Sequence, residues 1–237
     1  MPNKFYEPGT ERASKVQDLF AKVAPRYDLI NDLQSFGLHR WWKRQLVVWA
    51  RPTAGERALD VCCGTGDIAF GLAANGAQVT GLDFSEPMLR IARQRAETAA
   101  QRVEFLQGDA QALPFPDSSF EVVTVGYGLR NLASWKEGLA EMHRVAKPGG
   151  RLLILDFGKP QNPLWRGAYF AYLRGIVPLY GKMFCGDSQT HAYILESLNH
   201  YPAQTGVAAA MQEIGCSDVA VRNLLGGVMS INYGRKR

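Results

Sequence analysis

Asp60, Asp83 and Asp109 each end a short apolar run, and a glycine-rich stretch follows the first of them. The segment Leu59-Asp60-Val61-Cys62-Cys63-Gly64-Thr65-Gly66-Asp67 reads as a strand, a tight turn and the opening of a helix. Glycine at 64 and 66 lets the backbone turn sharply and approach a ligand closely. The first turn of the helix then offers N–H groups to a carboxylate or phosphate. Gly64, Gly66 and Ala69 also satisfy the dinucleotide pattern G-x-G-x-x-G/A. A pyrophosphate, however, would meet Asp67 in the first helical turn and Asp60 at the strand end, and both repel it. S-adenosyl-L-methionine suits such a place better, because it carries an ammonium, a sulfonium and a single carboxylate. Asp60 or Asp67 can meet the ammonium. Asp83, closing Gly81-Leu82-Asp83, can accept both ribose hydroxyls, a geometry that serves nicotinamide cofactors equally. Asp109, in Gly108-Asp109-Ala110, can take the adenine amine while the Ala110 N–H reaches a ring nitrogen. Three acids after three successive strands fit one extended adenosyl ligand.

Acids so placed need a sheet whose strand ends share one edge. The pattern predicts strands over 58–62, 78–82, 103–106, 120–125 and 151–155, with helices over 68–74, 87–100 and 135–145. Ser85 stands as an N-cap with Pro87 in the first turn of the second helix. Lys147-Pro148-Gly149-Gly150 closes the third. Strands alternating with helices argue for an α/β, doubly wound, parallel sheet covered on both faces. Two last strands, near 218–223 and 227–233, would add an antiparallel pair. One domain divides into an N-terminal helical cap (1–54), a cofactor-binding core (55–157) and a substrate-side insertion with closing strands (158–237). In the cap, Val16, Leu19, Phe20 and Val23 form one apolar face, Pro25 ends that helix, and a second helix begins near His39.

The 237 residues are 46% hydrophobic, which suits one domain with a sizeable core. A formal net charge of +5 without a concentrated basic patch argues against a nucleic-acid partner. Cys62 and Cys63 are adjacent, and with Cys185 and Cys216 they read as reduced thiols of a cytosolic protein. Residues 1–12 lack the apolar core of a signal peptide, and no apolar run reaches the ~18 residues of a spanning helix. No cluster of metal ligands stands out.

Tyr27-Asp28-Leu29-Ile30-Asn31-Asp32, Ser35-Phe36-Gly37-Leu38-His39-Arg40, the 60–67 loop, Ala112-Leu113-Pro114-Phe115-Pro116-Asp117, Gly128-Leu129-Arg130-Asn131 and Lys147-Pro148-Gly149-Gly150-Arg151 occur in that order. In these segments the chain resembles the ubiquinone/menaquinone biosynthesis C-methyltransferase family, over nearly its whole length. The glycine loop and the Lys-Pro-Gly-Gly turn are common to many methyltransferases; the two N-terminal segments and Gly-Leu-Arg-Asn are much more particular. The chain departs at Cys62-Cys63, where Ala-Gly is more usual, and at Gly126, where serine is common. Segment 158–200 matches more loosely. The resemblance implies a Rossmann-like, mostly parallel seven-stranded sheet with an antiparallel last strand, an N-terminal helical lid and a helical insertion before the last two strands. It implies methyl transfer from S-adenosyl-L-methionine to a ring carbon of a polyprenylated quinol, demethylmenaquinol foremost. Cofactor positions carry over to Thr65, Asp83, Asp109 and Ala110; Tyr27 and Gly126 join Asp60, Gly64 and Gly66 in the expected set.

A quinol carbon becomes nucleophilic once a neighbouring hydroxyl loses its proton. The enzyme must then align the ring, stabilise the phenolate and remove the ring proton. Arg130 can stabilise the phenolate or hold a water acting as base; its alternative is a salt bridge to a nearby acid. His39 can serve as base at neutral pH, or as a capping and packing residue. Tyr27 and Asn31 can close over the cofactor. His200 and Tyr201 are weaker candidates for quinol contacts, His143 and His191 read as solvated, and the two adjacent thiols as packing. A lipid quinol implies transient contact with a membrane surface by a cytoplasmic protein peripheral to its inner face. Trp41, Trp42, Trp49, Lys43 and Arg44 suit such contact, as does the aromatic stretch 163–184 with Trp165, Tyr169, Phe170, Tyr172, Tyr180 and Phe184. A core helix or a homodimer face would explain the same stretch. Three rivals stay open: methylation of another small molecule, a dinucleotide-dependent oxidoreductase, and a non-catalytic scaffold.

Overall fold

Five short apolar runs form the parallel strands β1 (Arg57–Val61), β2 (Gln78–Asp83), β3 (Val103–Gln107), β4 (Phe120–Gly126) and β5 (Ala146–Phe157). They close into a seven-stranded sheet with β6 (Cys216–Leu224) and β7 (Met229–Lys236), in the order β3-β2-β1-β4-β5-β7-β6. The computed structural model describes residues 27–99, 102–185 and 189–237. The apolar face expected over 16–23 and the break at Pro25 lie outside these residues.

Helices α1 (Tyr27–Ser35) and α2 (Leu38–Ala50) precede the sheet. Helices α3 (Asp67–Ala73), α4 (Glu86–Ala99) and α5 (Trp135–Val145) connect its strands. Helices α6 (Pro163–Cys185), α7 (Gln189–His200) and α8 (Ala203–Glu213) form the insertion before β6. Helix α5 starts where expected because the Ser134 hydroxyl accepts the Glu137 N–H at 3.3 Å, a side-chain cap. At α4 the expectation holds only in position. Ser85 precedes the first helical residue, but its buried hydroxyl has no partner among the described residues, and the strand-end Asp83 takes its N–H instead.

Alternation along the central strands splits the core into two layers. Leu59, Val61, Val123, Val125, Leu152 and Ile154 face α5–α8. Ala58, Val122, Leu153 and Leu155 face α2, α3 and α4. Strands covered on both sides read as near-continuous apolar runs, which is why these were legible. Strand β5 starts earlier than expected: Ala146 pairs with Phe120 before a bulge, and regular pairing resumes at Val122–Arg151. Of the closing pair, only β7 runs against the sheet, being antiparallel to both β5 and β6. The connection between β6 and β7 spans only 225–228, and so short a link joins antiparallel neighbours alone.

Strands β1 and β4 are adjacent although two strand–helix units separate them in sequence. Winding reverses between them, and the crevice at the carboxyl ends of such strands is where α/β sheets bind ligands.

Candidate cofactor and active site

The loop after β1 turns through Gly64 (φ 55°) and Gly66 (φ 90°), left-handed conformations that glycine adopts at little cost. Cys62 (φ 55°) shares that region without being glycine, and so does Tyr127 (φ 63°) in the loop after β4. Such conformations cost on the order of 1–2 kcal/mol each and persist where packing over-determines them. The two loops touch: a Cβ on Gly128 would lie 2.4 Å from the Cβ of Cys62. Glycine at 128 is therefore required by close approach.

Between these loops opens a cavity with an interior volume of about 120 Å³, open to solvent at its mouth. Gly64, Asp83, Asp109, Ala110 and Gly126 line it. Asp83 is braced: its carboxylate accepts the Gly64 N–H and the Ser85 N–H, both at 2.8 Å. Burial raises its pKa, against these bonds. The exposed Asp109 accepts the Gln111 N–H at 2.9 Å, and Ala110 is buried beside it. Among the described residues the lining carries two carboxylates and no lysine or arginine. A polyphosphate finds no countercharge there, whereas a ligand with cationic groups and ribose hydroxyls does. S-adenosyl-L-methionine fits that donor set.

Other expected residues lie elsewhere. Asp60 does not reach the cavity wall. It is buried under the loop, accepting the Thr124 hydroxyl at 2.8 Å and the Ala69 N–H at 3.1 Å, and burial pushes its pKa up to about 7. Thr65 and Gly66 are likewise behind the lining; the Thr65 carbonyl accepts Arg95 at 2.8 Å. Asp67 is not an anion offered to the ligand. Lys43 at 2.7 Å and Arg95 at 2.6 Å both hold it, and they outweigh burial to keep its pKa well below the usual carboxylate range. This removes Asp67 from the charge argument against a pyrophosphate, and the bare-acid lining replaces it. The side chain of Tyr27, like those of Tyr180, Phe184 and His191, is outside the described residues.

Arg130 sits on a single 3-10 turn (Leu129–Asn131) after β4. Its guanidinium donates to Asp156 at 2.7 Å and to the Tyr127 carbonyl at 2.7 Å, beneath the Phe157 ring at 4.5 Å. Asp156 comes from β5, not from a helix, and both side chains are only 3% exposed. Arg130 itself is not on the lining, but its neighbour Asn131 is. The buried Oδ1 of Asn131 has no hydrogen-bond partner among the described residues. His39 lies outside the lining, buried on α2 with Nε2 at 2.8 Å from Asp32. Burial, the largest influence, lowers its pKa. His143 is half-buried rather than solvated, and His200 is exposed beside Glu196.

The expected membrane-facing residues divide. Trp42 and Lys43 are buried and Trp49 stacks on Tyr233 at 5.3 Å, while Trp41 and Arg44 face outward. On α6, Tyr169 is buried, whereas Leu164, Trp165, Ile176 and Leu179 are exposed.

The model of the ubiE/COQ5 methyltransferase family matches residues 9–236. The chain belongs to this family. It is therefore an S-adenosyl-L-methionine-dependent methyltransferase. It is 43% identical to the ubiquinone/menaquinone biosynthesis C-methyltransferase UbiE of Dinoroseobacter shibae, over 95% of this chain and 92% of that protein. It is 40% identical to the demethylmenaquinone methyltransferase of Desulfitobacterium hafniense, over 96% and 92%. Among solved structures, a methyltransferase of Thermotoga maritima, described as a possible histamine N-methyltransferase, shares the fold with a TM-score of 0.67. It has 18% identity and covers 93% of this chain and 99% of that one.

Within this family member, sequence reasoning did not single out Met88, Gln111 or Asn131 as cavity residues. Asn131 was within reach, as the last residue of the Gly-Leu-Arg-Asn segment. Met88 carries no sequence signal of its own.

Proposed function

We propose that the protein methylates a ring carbon of a polyprenylated quinol, with demethylmenaquinol as the preferred acceptor. The observation that carries this reading is the turn holding Arg130 and Asn131 at the end of β4. A guanidinium buried with Asp156 and an amide oxygen on the cavity wall, unpartnered among the described residues, stand side by side. The relatives' names point the same way.

The bound cofactor supplies an electrophilic methyl group. Asn131 Oδ1 accepts a quinol hydroxyl and orients the ring. Arg130 lowers the cost of the phenolate as that hydroxyl passes its proton to a water molecule. Apolar walls at Leu82, Met88 and Leu132 keep the chamber dry, which favours neutralisation of charge as the methyl moves.

Among the described residues no helix is long and apolar enough to cross a membrane. Helix α6 instead exposes Leu164, Trp165, Ile176 and Leu179 beside Arg166 and Arg174, and its sequence contains no acid. This face suits an anionic lipid surface from which a tailed quinol is taken.

The test is anaerobic incubation with S-adenosyl-L-methionine and reduced demethylmenaquinol, in parallel with a reduced benzoquinol precursor, read by product mass. Methylation of the naphthoquinol, faster from anionic than from neutral vesicles, is the expected result. Cofactor binding with neither ring methylated would move the activity to another acceptor.

A further inference from the structure

The glycine loop is gripped from outside the cavity by a three-residue charge cluster. Lys43 of α2, 8% exposed, donates to Asp67 Oδ2 at 2.7 Å. Arg95 of α4 donates to Asp67 Oδ1 at 2.6 Å and to the Thr65 carbonyl at 2.8 Å. One turn further along both helices, Val47 of α2 meets Gly71 of α3 so closely that a Cβ there would lie 2.9 Å from a Val47 methyl. The α2–α3 contact thus has an apolar half and a charged half, one turn apart. The apolar half sets how close the helices come. The charged half sets the rotation of α3, and with it the path of residues 62–66.

The sheet order puts Asp109, Asp83 and the glycine loop side by side along the cavity edge, at the ends of β3, β2 and β1. An adenosyl ligand with its base and ribose at the first two places therefore brings its amino-acid end to the loop. The loop is braced on the ribose side through Gly64 and Asp83. On the outer side it depends on the cluster.

We propose that Lys43, acting through Asp67, is a positioning residue for the amino-acid end of the cofactor, so that the N-terminal helical layer sets cofactor affinity without touching the ligand. Replacing Lys43 releases Asp67 Oδ2, so that Arg95, through Asp67 Oδ1 and the Thr65 carbonyl, is left to hold the outer side and the loop loses its tie to α2. The adenosine end, held by Asp83 and Asp109, keeps its contacts. The inference is independent of which molecule receives the methyl group.

Two probes separate this role from a general loosening. S-adenosylhomocysteine carries the amino-acid end; 5′-methylthioadenosine lacks it. Calorimetry on the full chain is expected to show Lys43→Met weakening S-adenosylhomocysteine about tenfold, with 5′-methylthioadenosine changed less than twofold. Val47→Ala loosens the same helix contact without touching charge. It should lower the melting temperature and leave the ratio of the two affinities as in the wild type. Equal loss of both ligands in Lys43→Met, no loss of either, or the same change of ratio in Val47→Ala would each overturn the proposal.

Discussion

Two loops meet at the point where the sheet reverses its winding, and each is secured by buried charge in a different way. The loop after β1 is held from outside by Lys43, Asp67 and Arg95, a cluster that draws on three helices and stays partly open to solvent. The loop after β4 is held from within by Arg130 and Asp156, an ion pair sealed from solvent. Solvent can make up part of what the first cluster loses. Solvent cannot do so for the second: without the guanidinium, Asp156 is a buried carboxylate left to the backbone N–H groups of residues 130 and 157. The first arrangement suits adjustment of a loop; the second suits a wall that must not move.

The sharpest way to break this contrast is at the sealed pair. Arg130→Ala should cost about 3–5 kcal/mol of stability, the range for removing one partner of a buried pair, and methyl transfer should fall with it. Arg130→Met combined with Asp156→Leu removes both charges and should regain most of the melting temperature in thermal denaturation. Turnover should stay lost. Recovery of turnover in the double variant would reduce Arg130 to a structural tie.

The contact between the loops gives the next effect. Gly128→Ala drives a methyl into Cys62 and should cost about 1–3 kcal/mol, as overpacking does. Adding Cys62→Gly removes the obstructing side chain and relieves a left-handed residue. The pair should therefore regain both stability and cofactor affinity. If it does not, the loops are not in the contact described.

The smallest effect concerns Asp60 beneath the β1 loop. Its folded pKa, pushed by burial to about 7 from an ordinary 3.8, means the native protein binds a proton that the unfolded chain has released across this interval. Asp60 thus stabilises the fold most at low pH, and its contribution shrinks as pH rises from about 4 to 7. Asp60→Asn keeps a neutral, hydrogen-bonding group in place and should flatten this part of the stability profile. Parallel wild-type and variant profiles between pH 4.5 and 7.5 would show that Asp60 stays ionised.

Much of this could be read from the chain before its structure. Strand β4 was expected over 120–125 and spans Phe120–Gly126; helix α5 was found residue for residue. Both rest on local signals, an apolar run and a cap. The early start of β5 and the lone antiparallel direction of β7 depend on pairing with distant strands, and no local signal carries them. The site divides in the same way. Residues at strand ends, such as Asp83, Asp109 and Gly126, come to one cavity because the ends of parallel strands share an edge. Asp60 is also near a strand end, but its side chain points into the core. That direction follows from Thr124, sixty-four residues away. Lys43 and Asp67 are twenty-four residues apart, in segments read separately as a membrane-facing cap and a ligand loop. Their pairing, like the burial of His39 against Asp32, belongs to tertiary structure alone.

Strand β7 follows β6 in sequence yet is an interior strand of the sheet, between β5 and β6. During synthesis the edge of β5 stays open until residues 229–236 have left the ribosome. The chain therefore carries an unsatisfied, aggregation-prone seam from the synthesis of β5 until β7 emerges, and β7, sliding in as a wedge, closes it.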